Sequence, residues 1–415
     1  MSKRRYLLVG TGNRGTTMWG KELLDGWSEH VELVGIVDTN PMRAERARAM
    51  IGSGAPVLAD LGEALAGLRP DLAIVCTPDD THDAIVERAL EAGADVISEK
   101  PMATTPERVG RILAAERRTG RRVDVSFNYR FAPTAARIKE LLLAGEIGEV
   151  LSVDFHWHLD TRHGADYFRR WHAYRARSGS LFVHKATHHF DLLNWYLGSD
   201  PEAVSAFAAL KVYGANGPFR GVRCRGCAHA GACDFFLDLG ADPFLDALYE
   251  DPKTVDGYLR DACVYREDID IPDTMVAAIR YANGVHVSYS LNTSQPVEGH
   301  HIAFNGTQGR IELRQYEKQP WEVPEGDEIL LARSFPKGRP AVERIHVPHY
   351  PGGHYGGDDR LRNMLFVPGA ADPLGQRAGA RAGAMSVLCG VAALASADQG
   401  RAVRIGEYAA AAGIG

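Results

Sequence analysis

Residues 6–15 read Tyr6-Leu7-Leu8-Val9-Gly10-Thr11-Gly12-Asn13-Arg14-Gly15. An apolar run suited to a buried strand leads directly into G-x-G-x-x-G, and a helical pattern follows to about residue 27. Each glycine then has a separate task. The first permits a tight turn, the second lets backbone approach a pyrophosphate, and the third lets the helix pack closely on the strand. N–H groups at the start of that helix face the phosphates. A second strand over 31–38 ends at Asp38, placed to accept hydrogen bonds from a ribose 2′-hydroxyl. A 2′-phosphate would meet like charge there, so the sequence favours NAD over NADP. Arg43 is the one nearby residue that would soften this preference. A glycine-rich turn in an unrelated α/β protein is the plainer alternative, but strand, helix and terminal acid together argue against it.

Working outward, Pro41 opens a second helix at its first turn. Strands are expected near Val57 and over 72–76, 95–98 and 123–128, with a helix over about 80–92. Strand–helix alternation at this spacing means a parallel sheet with crossover helices. The pattern changes near residue 150. Residues 150–159 alternate as a half-buried strand, and Asn283-Gly284 between 274–282 and 285–292 predicts a hairpin with a type I′ turn. A second hairpin flanks Gly306-Thr307-Gln308-Gly309. The fold class is therefore α/β plus α+β. A Rossmann dinucleotide-binding domain over 1–125 precedes an α+β domain over 126–415 with a large, mostly antiparallel open sheet. The Pro- and Gly-rich stretch 317–370 reads as long loops, and 377–397 as a last, Ala-rich helix.

The 415 residues carry 47 basic and 53 acidic side chains, a formal net charge of −6. Without a long Lys/Arg run, this balance argues against nucleic-acid binding. The first apolar run stops at Gly10, too soon for a secretory signal. No stretch of sequence reads as a membrane span of roughly 18 apolar residues. The expected setting is cytoplasmic, with no membrane partner.

Two further motifs extend the reading: Cys76-Thr77-Pro78-Asp79-Asp80-Thr81-His82 after the fourth strand, and Glu99-Lys100-Pro101 after the fifth. With Gly10–Gly15 they resemble the Gfo/Idh/MocA oxidoreductases, named for glucose–fructose oxidoreductase and inositol dehydrogenase. The resemblance covers most of the chain. It implies that Gly10, Gly12, Asn13, Arg14, Gly15, Asp38, Thr77, Pro78, His82, Glu99 and Lys100 border the cofactor. It also implies that Lys100 moves the proton of the reacting hydroxyl. A lysine at the carboxyl end of a parallel strand lies where ligands bind in such sheets, and desolvation there lowers its pKa toward acid–base work. Pro101 sets the following turn, with a cis bond open to it, and Glu99 is placed to orient the lysine.

The family's Asp and His, four residues apart at the start of a helix, map onto Val183-His184-Lys185-Ala186-Thr187-His188. His188 takes the catalytic histidine's place, and His184 stands where the family has Asp. Spacing of four puts both on one helical face, and a neutral histidine accepts a proton near pH 7. Substrate contacts are expected from Tyr129, Arg130, His156, His158, Arg170, Trp171, Lys185 and His354. The last sits in a glycine-rich loop, and seven of the 16 histidines fall between 156 and 189. The resemblance implies an NAD-dependent dehydrogenase acting on a secondary hydroxyl of a carbohydrate or cyclitol, working as a homo-oligomer, dimer or tetramer. Two alternatives stay open. One is an NAD-dependent glycosidase that oxidises the sugar transiently, eliminates the aglycone, adds water and reduces back. The other is a non-catalytic NAD(H) sensor.

Cysteines 224, 227, 233 and 263 fall in an insertion spanning about 214–272. A Cys-x-x-Cys knuckle plus two more thiolates suits a structural zinc, with His229 able to replace one ligand. Free thiols and a disulfide are the other readings. Four protein ligands leave no open position, so a catalytic zinc is not expected.

Overall fold

The computed structural model describes residues 3–322 and 325–414. Strands β1 (Arg4–Val9), β2 (Val31–Val37), β3 (Val57–Leu58), β4 (Leu72–Val75), β5 (Asp95–Ser98) and β6 (Val123–Val125) form the first sheet. Every pairing is parallel, in the order β3-β2-β1-β4-β5-β6. Strand order reverses between β1 and β4, and the crevice beyond their carboxyl ends is where such sheets bind ligands. The loops after β1, β4 and β5 carry the glycine motif, Thr77-Pro78-Asp79 and Glu99-Lys100. Close packing explains two of the glycines. Gly10 has φ +95°, and a Cβ on it would lie 2.7 Å from the Cys76 carbonyl carbon; one on Gly15 would lie 2.2 Å from the Gly10 oxygen. The chain then runs through a π-helical stretch, Gly15–Lys21, before the α-helix Glu22–Trp27. Asn40 caps the helix Pro41–Ile51 by accepting the Arg43 N–H.

The second sheet has nine strands: β7 (Val150–Asp160), β8 (Pro201–Ala209), β9 (Thr274–Tyr281), β10 (His286–Gln295), β11 (Glu298–Gly306), β12 (Gly309–Lys318), β13 (Asp327–Arg333), β14 (Val342–Val347) and β15 (Val403–Arg404). Their order is β14-β13-β12-β11-β7-β10-β9-β8-β15. Only β7 and β10 pair in parallel. Alternation along β7 separates the faces: Val153, Phe155, Trp157 and Leu159 are buried against the helices, while Ser152, Asp154, His156 and His158 are half-buried on the other side.

Three local expectations need correction. The β9–β10 turn is not type I′. Asn283 keeps a negative φ, Gly284 alone has φ +87°, and the Gly284 N–H donates to the Tyr281 carbonyl. This is a type I turn followed by a left-handed glycine, which also matches strand twist. Residues 317–370 are not mainly loops, because β13, β14 and a helix over Gly353–Phe366 lie there. Finally, the helix Ala380–Gln399 is long and apolar enough, by length and composition, to cross a membrane. Most of it is buried between β8 and the helix Ala186–Leu197. Its apolar surface serves the core, so Ala-rich composition concealed the segment's continuity. The stretch before it pairs with β6, where the Val125 N–H donates to the Ala378 carbonyl, so this segment spans both domains.

Candidate active site

On the nucleotide side, Asp38 is held in place before any ligand arrives. One carboxylate oxygen accepts from the Thr11 N–H (2.8 Å) and hydroxyl (2.6 Å), and the other accepts from the Asn40 N–H (2.8 Å). Arg43 does not face this carboxylate as a phosphate reader. Its guanidinium is 2.6 Å from Asp256 and lies over the rings of Tyr249 and Tyr258. The cation that would have softened the preference for NAD is thus already paired. Gly12 leaves an open approach, its nearest neighbour toward a Cβ being the Tyr249 hydroxyl at 3.5 Å. This glycine loop, open at Gly12 and with the Asp38 carboxylate beside it, fits NAD.

The insertion reaches into the same place. The Asn13 N–H donates to the Tyr249 hydroxyl at 2.9 Å, across 236 residues of sequence. Asn40 also donates to the Pro252 carbonyl and to Asp256, both at 2.8 Å. Tyr249, Asp256 and Asp79 were not singled out by the sequence, which carries no local signal for contacts so distant. Accepting from Asn13 leaves the Tyr249 O–H able to donate toward a pyrophosphate. Tyr249→Phe is therefore expected to weaken NADH binding about three- to tenfold in a calorimetric titration, the worth of an ordinary hydrogen bond. An unchanged or tighter Kd would mean that the tyrosine only fills a place a phosphate takes.

Two residues expected at the cofactor serve the scaffold through their side chains. Arg14 donates to Glu99 (2.8 Å) and to Asp358 (3.3 Å), so its guanidinium is consumed by carboxylates. His82 is fully buried, and its ring nitrogens lie 2.9 Å from the carbonyls of Pro101 and Thr77. It ties the loops after β4 and β5 together. The Thr77 hydroxyl is likewise paired with Thr81 at 2.7 Å, and Pro78 begins the turn that follows.

Lys100 follows directly after this framework, and its peptide bond to Pro101 is cis. Its ammonium donates to the His184 carbonyl at 3.1 Å. Burial lowers its pKa to about 8, with Asp79 opposing the shift and Lys185 adding to it. Glu99 orients Lys100 less than expected. Its carboxylate takes Arg14 and the Trp19 indole N–H (2.7 Å), and it touches Lys100 only at the backbone N–H (3.3 Å). Burial would raise the Glu99 pKa, but Arg14 holds it below the usual value.

His184 ends the short helix Leu181–His184, and His188 lies in the first turn of Ala186–Leu197. Although Lys185 separates the two helices, both histidines sit beside Lys100. His184 Nδ1 is 2.6 Å from Asp79 Oδ2. The chain thus keeps a carboxylate where His184 replaced one, but supplies it from the loop after β4. Burial, with Lys100 beside them, depresses both histidine pKa values well below the ordinary one, so both rings stay neutral. Burial also raises the Asp79 pKa, with Lys100 opposing the shift; when Asp79 is ionised, Nδ1–H of His184 donates to it and Nε2 is the ring's acceptor. Nδ1 of His188 has no partner among the described residues.

Several expected contacts gather around this group. Tyr129 stands edge-on to His188 (4.8 Å between ring centres) and to His354 (5.1 Å), and Lys185 lies over its ring. His354 is brought in by a left-handed turn, φ +53° at His354 and +60° at Tyr355, and bonds Asp358 at 3.1 Å. Trp171 stacks on His172 and meets His184 edge-on at 5.7 Å. Arg170 pairs with Asp166 at 3.2 Å, beneath the insertion.

Others are corrected. Arg130 is buried in a bidentate pair with Asp191 (2.7 and 2.6 Å) and also bonds the Gly375 carbonyl (3.2 Å), which makes it part of the scaffold. His156 and His158 belong to the outer face of β7, opposite Trp157, and His156 bonds Ser290 there. Strand alternation put them on the wrong side of the sheet. The zinc expected at Cys224, Cys227, Cys233 and Cys263 is not supported. The four thiols line one small cavity, yet the described residues hold no group of three or more potential ligands arranged for a metal ion. Arg169 donates to the Cys224 sulfur at 3.1 Å, using that sulfur as a hydrogen-bond acceptor.

Comparison with known proteins fits this arrangement. Residues 4–127 match the oxidoreductase family's NAD-binding Rossmann fold, and residues 139–405 match its C-terminal alpha/beta domain. The putative oxidoreductase YteT of Bacillus subtilis is 37% identical over 411 residues, covering 93% of this chain and 94% of its own. Inositol 2-dehydrogenase of Rhizobium meliloti is 31% identical over 208 residues, half of this chain and 59% of its own. Among solved structures, a levoglucosan dehydrogenase in complex with NADH and levoglucosan superimposes with a TM-score of 0.70 at 20% identity, covering 97% of this chain and all of that one. With both halves matched in order and the glycine loop, Lys100 and His188 gathered at one crevice, this chain belongs to the Gfo/Idh/MocA oxidoreductase family.

Proposed function

We propose that the protein oxidises a secondary hydroxyl of a sugar, glycoside or cyclitol with NAD. The observation that carries this is the position of Lys100, its pKa lowered to about 8, beside two neutral histidines and the glycine loop. A general base works best when its pKa lies near the working pH. Burial lowers the pKa of His184 and His188 well below the ordinary value, which leaves both as neutral hydrogen-bond partners. NAD, when bound, supplies the hydride acceptor. The alcohol's O–H proton passes to Lys100 Nζ as the carbinol C–H leaves as hydride, and the product is a ketone. His188 and the acceptor nitrogen of His184 hold the hydroxyl in line, and Asp79 fixes the tautomer of His184. Resemblance to inositol 2-dehydrogenase and to levoglucosan dehydrogenase supports this substrate range.

The NAD-dependent glycosidase remains the second reading. The contact of Tyr249 with the glycine loop favours it, since a covered cofactor suits a cycle that returns its hydride. One experiment separates the two: purified protein and NAD with free sugars, cyclitols and aryl glycosides, following NADH absorbance and aglycone release together. NADH accumulating with substrate consumption is the expected result. Aglycone released many times over without NADH would instead establish the hydrolase. We also place self-association, through a second copy of the chain, on the outer face of the second sheet, where Phe207 and Val276 are exposed directly opposite each other.

A further inference from the structure

Lys185 begins the helix that carries His188, and only 3% of it is exposed. Its ammonium lies 4.9 Å from the ring centre of Trp157 and 5.6 Å from that of Tyr129. Among the described residues it makes no hydrogen bond and no ion pair. Burial lowers its pKa, and the charges of Glu298 and Glu317 oppose that shift. Neither carboxylate bonds the ammonium: Glu298 accepts from the Asp160 N–H (2.7 Å) and pairs with His163 (2.9 Å).

Lys100 is the second ammonium in this cleft, and its hydrogen bond goes to a carbonyl rather than to a carboxylate. The two lysines repel each other. Asp79 is the carboxylate acting most on Lys100, and it already serves His184. Buried charges are ordinarily paired, because an ammonium taken out of water without a counter-charge is costly. Oxidised NAD would bring one more positive charge to the nicotinamide end. Lys185 is therefore a buried cation with no direct partner among the described residues, set beside the hydroxyl-binding group. A phosphate dianion more often meets an arginine fork, but Arg14 and Arg170 are both engaged by carboxylates. A lone lysine against aromatic rings suits a single negative charge on a sugar.

We propose that the substrate is a sugar acid whose carboxylate pairs with Lys185, next to the hydroxyl that Lys100 deprotonates. This rests on the dehydrogenase reading above for its second half, but the carboxylate contact is testable by binding alone. The test compares three matched pairs on the protein saturated with NADH: glucuronate with glucose, galacturonate with galactose, and mannuronate with mannose. Calorimetry should show at least one acid binding about 10- to 100-fold more tightly than its neutral partner, as charge-assisted hydrogen bonds allow. Lys185→Met, which keeps length and apolar contact with Trp157, should erase the difference. The methyl ester of the preferred acid should bind wild-type protein like the neutral sugar, which gives a second reading if the variant does not fold. Equal binding within every pair, no binding by any acid, or a preference that survives Lys185→Met would each overturn the inference. Turnover with NAD is measured separately. Tight acid binding without NADH formation would keep the carboxylate contact and sink the dehydrogenase, and turnover of neutral sugars alone would do the reverse.

Discussion

Lys100→Ala lowers the turnover number about 10³-fold and leaves the Kd for NADH within about twofold, a loss in the range of general acid–base catalysis. The side chain donates to the His184 carbonyl, whereas the cofactor framework rests on Asp38, the glycine loop and the Arg14–Glu99 pair. Removing the ammonium therefore removes the proton acceptor and little of the nucleotide site. The sign of the pH dependence follows from the same group. Sugar oxidation needs the neutral amine, so kcat in that direction rises with pH through about 8, where Lys100 loses its proton. Lys100→Arg does not restore activity, because a guanidinium keeps its proton over the working range. A pH–rate profile of wild type and both variants, with NADH binding measured alongside, checks all three statements. A profile that stays flat between pH 6 and about 10 would remove Lys100 from the role of base.

How far this site could be read in advance depended on sequence distance. The glycine motif, Asp38, the Glu99-Lys100-Pro101 turn and His188 are local patterns, each tied to the end of a strand or the start of a helix. They fixed the first sheet and the crevice. The β9–β10 hairpin was also legible, but its turn type was not. Asn-Gly allows two left-handed residues, whereas the chain needed only Gly284. Histidines 156 and 158 misled because composition counts residues and ignores the side of a strand they occupy. Arg130 has the look of a substrate ligand in sequence, but a bidentate pair with Asp191, 61 residues away, holds it in the scaffold. Nothing near residue 13 announces Tyr249, and nothing near His184 announces Asp79, 105 residues before it. Both contacts exist only because the second domain and its insertion fold back onto the first.

Asp79→Asn separates position from charge at this site. The amide keeps the size of the carboxylate, but it offers His184 Nδ1 a donor as readily as an acceptor, so the ring is free to take the other tautomer. With Nε2 then protonated, His184 no longer accepts the substrate hydroxyl. A loss of about 10- to 100-fold in kcat is expected, with KM and the Kd for NADH nearly unchanged. A purely structural defect would instead disturb all three together. Charge supplies the second readout. Asp79 is the carboxylate that most opposes the depression of the Lys100 pKa, so losing it lets that pKa fall further. The rise of oxidation rate with pH should accordingly move to lower pH than in the wild type, even as its plateau drops. Asp79→Glu retains the charge and should keep the inflection near 8 while losing part of the rate through altered reach. If Asp79→Asn left both the plateau and the inflection where they are, the 2.6 Å contact with His184 would be packing and would not set the ring's tautomer.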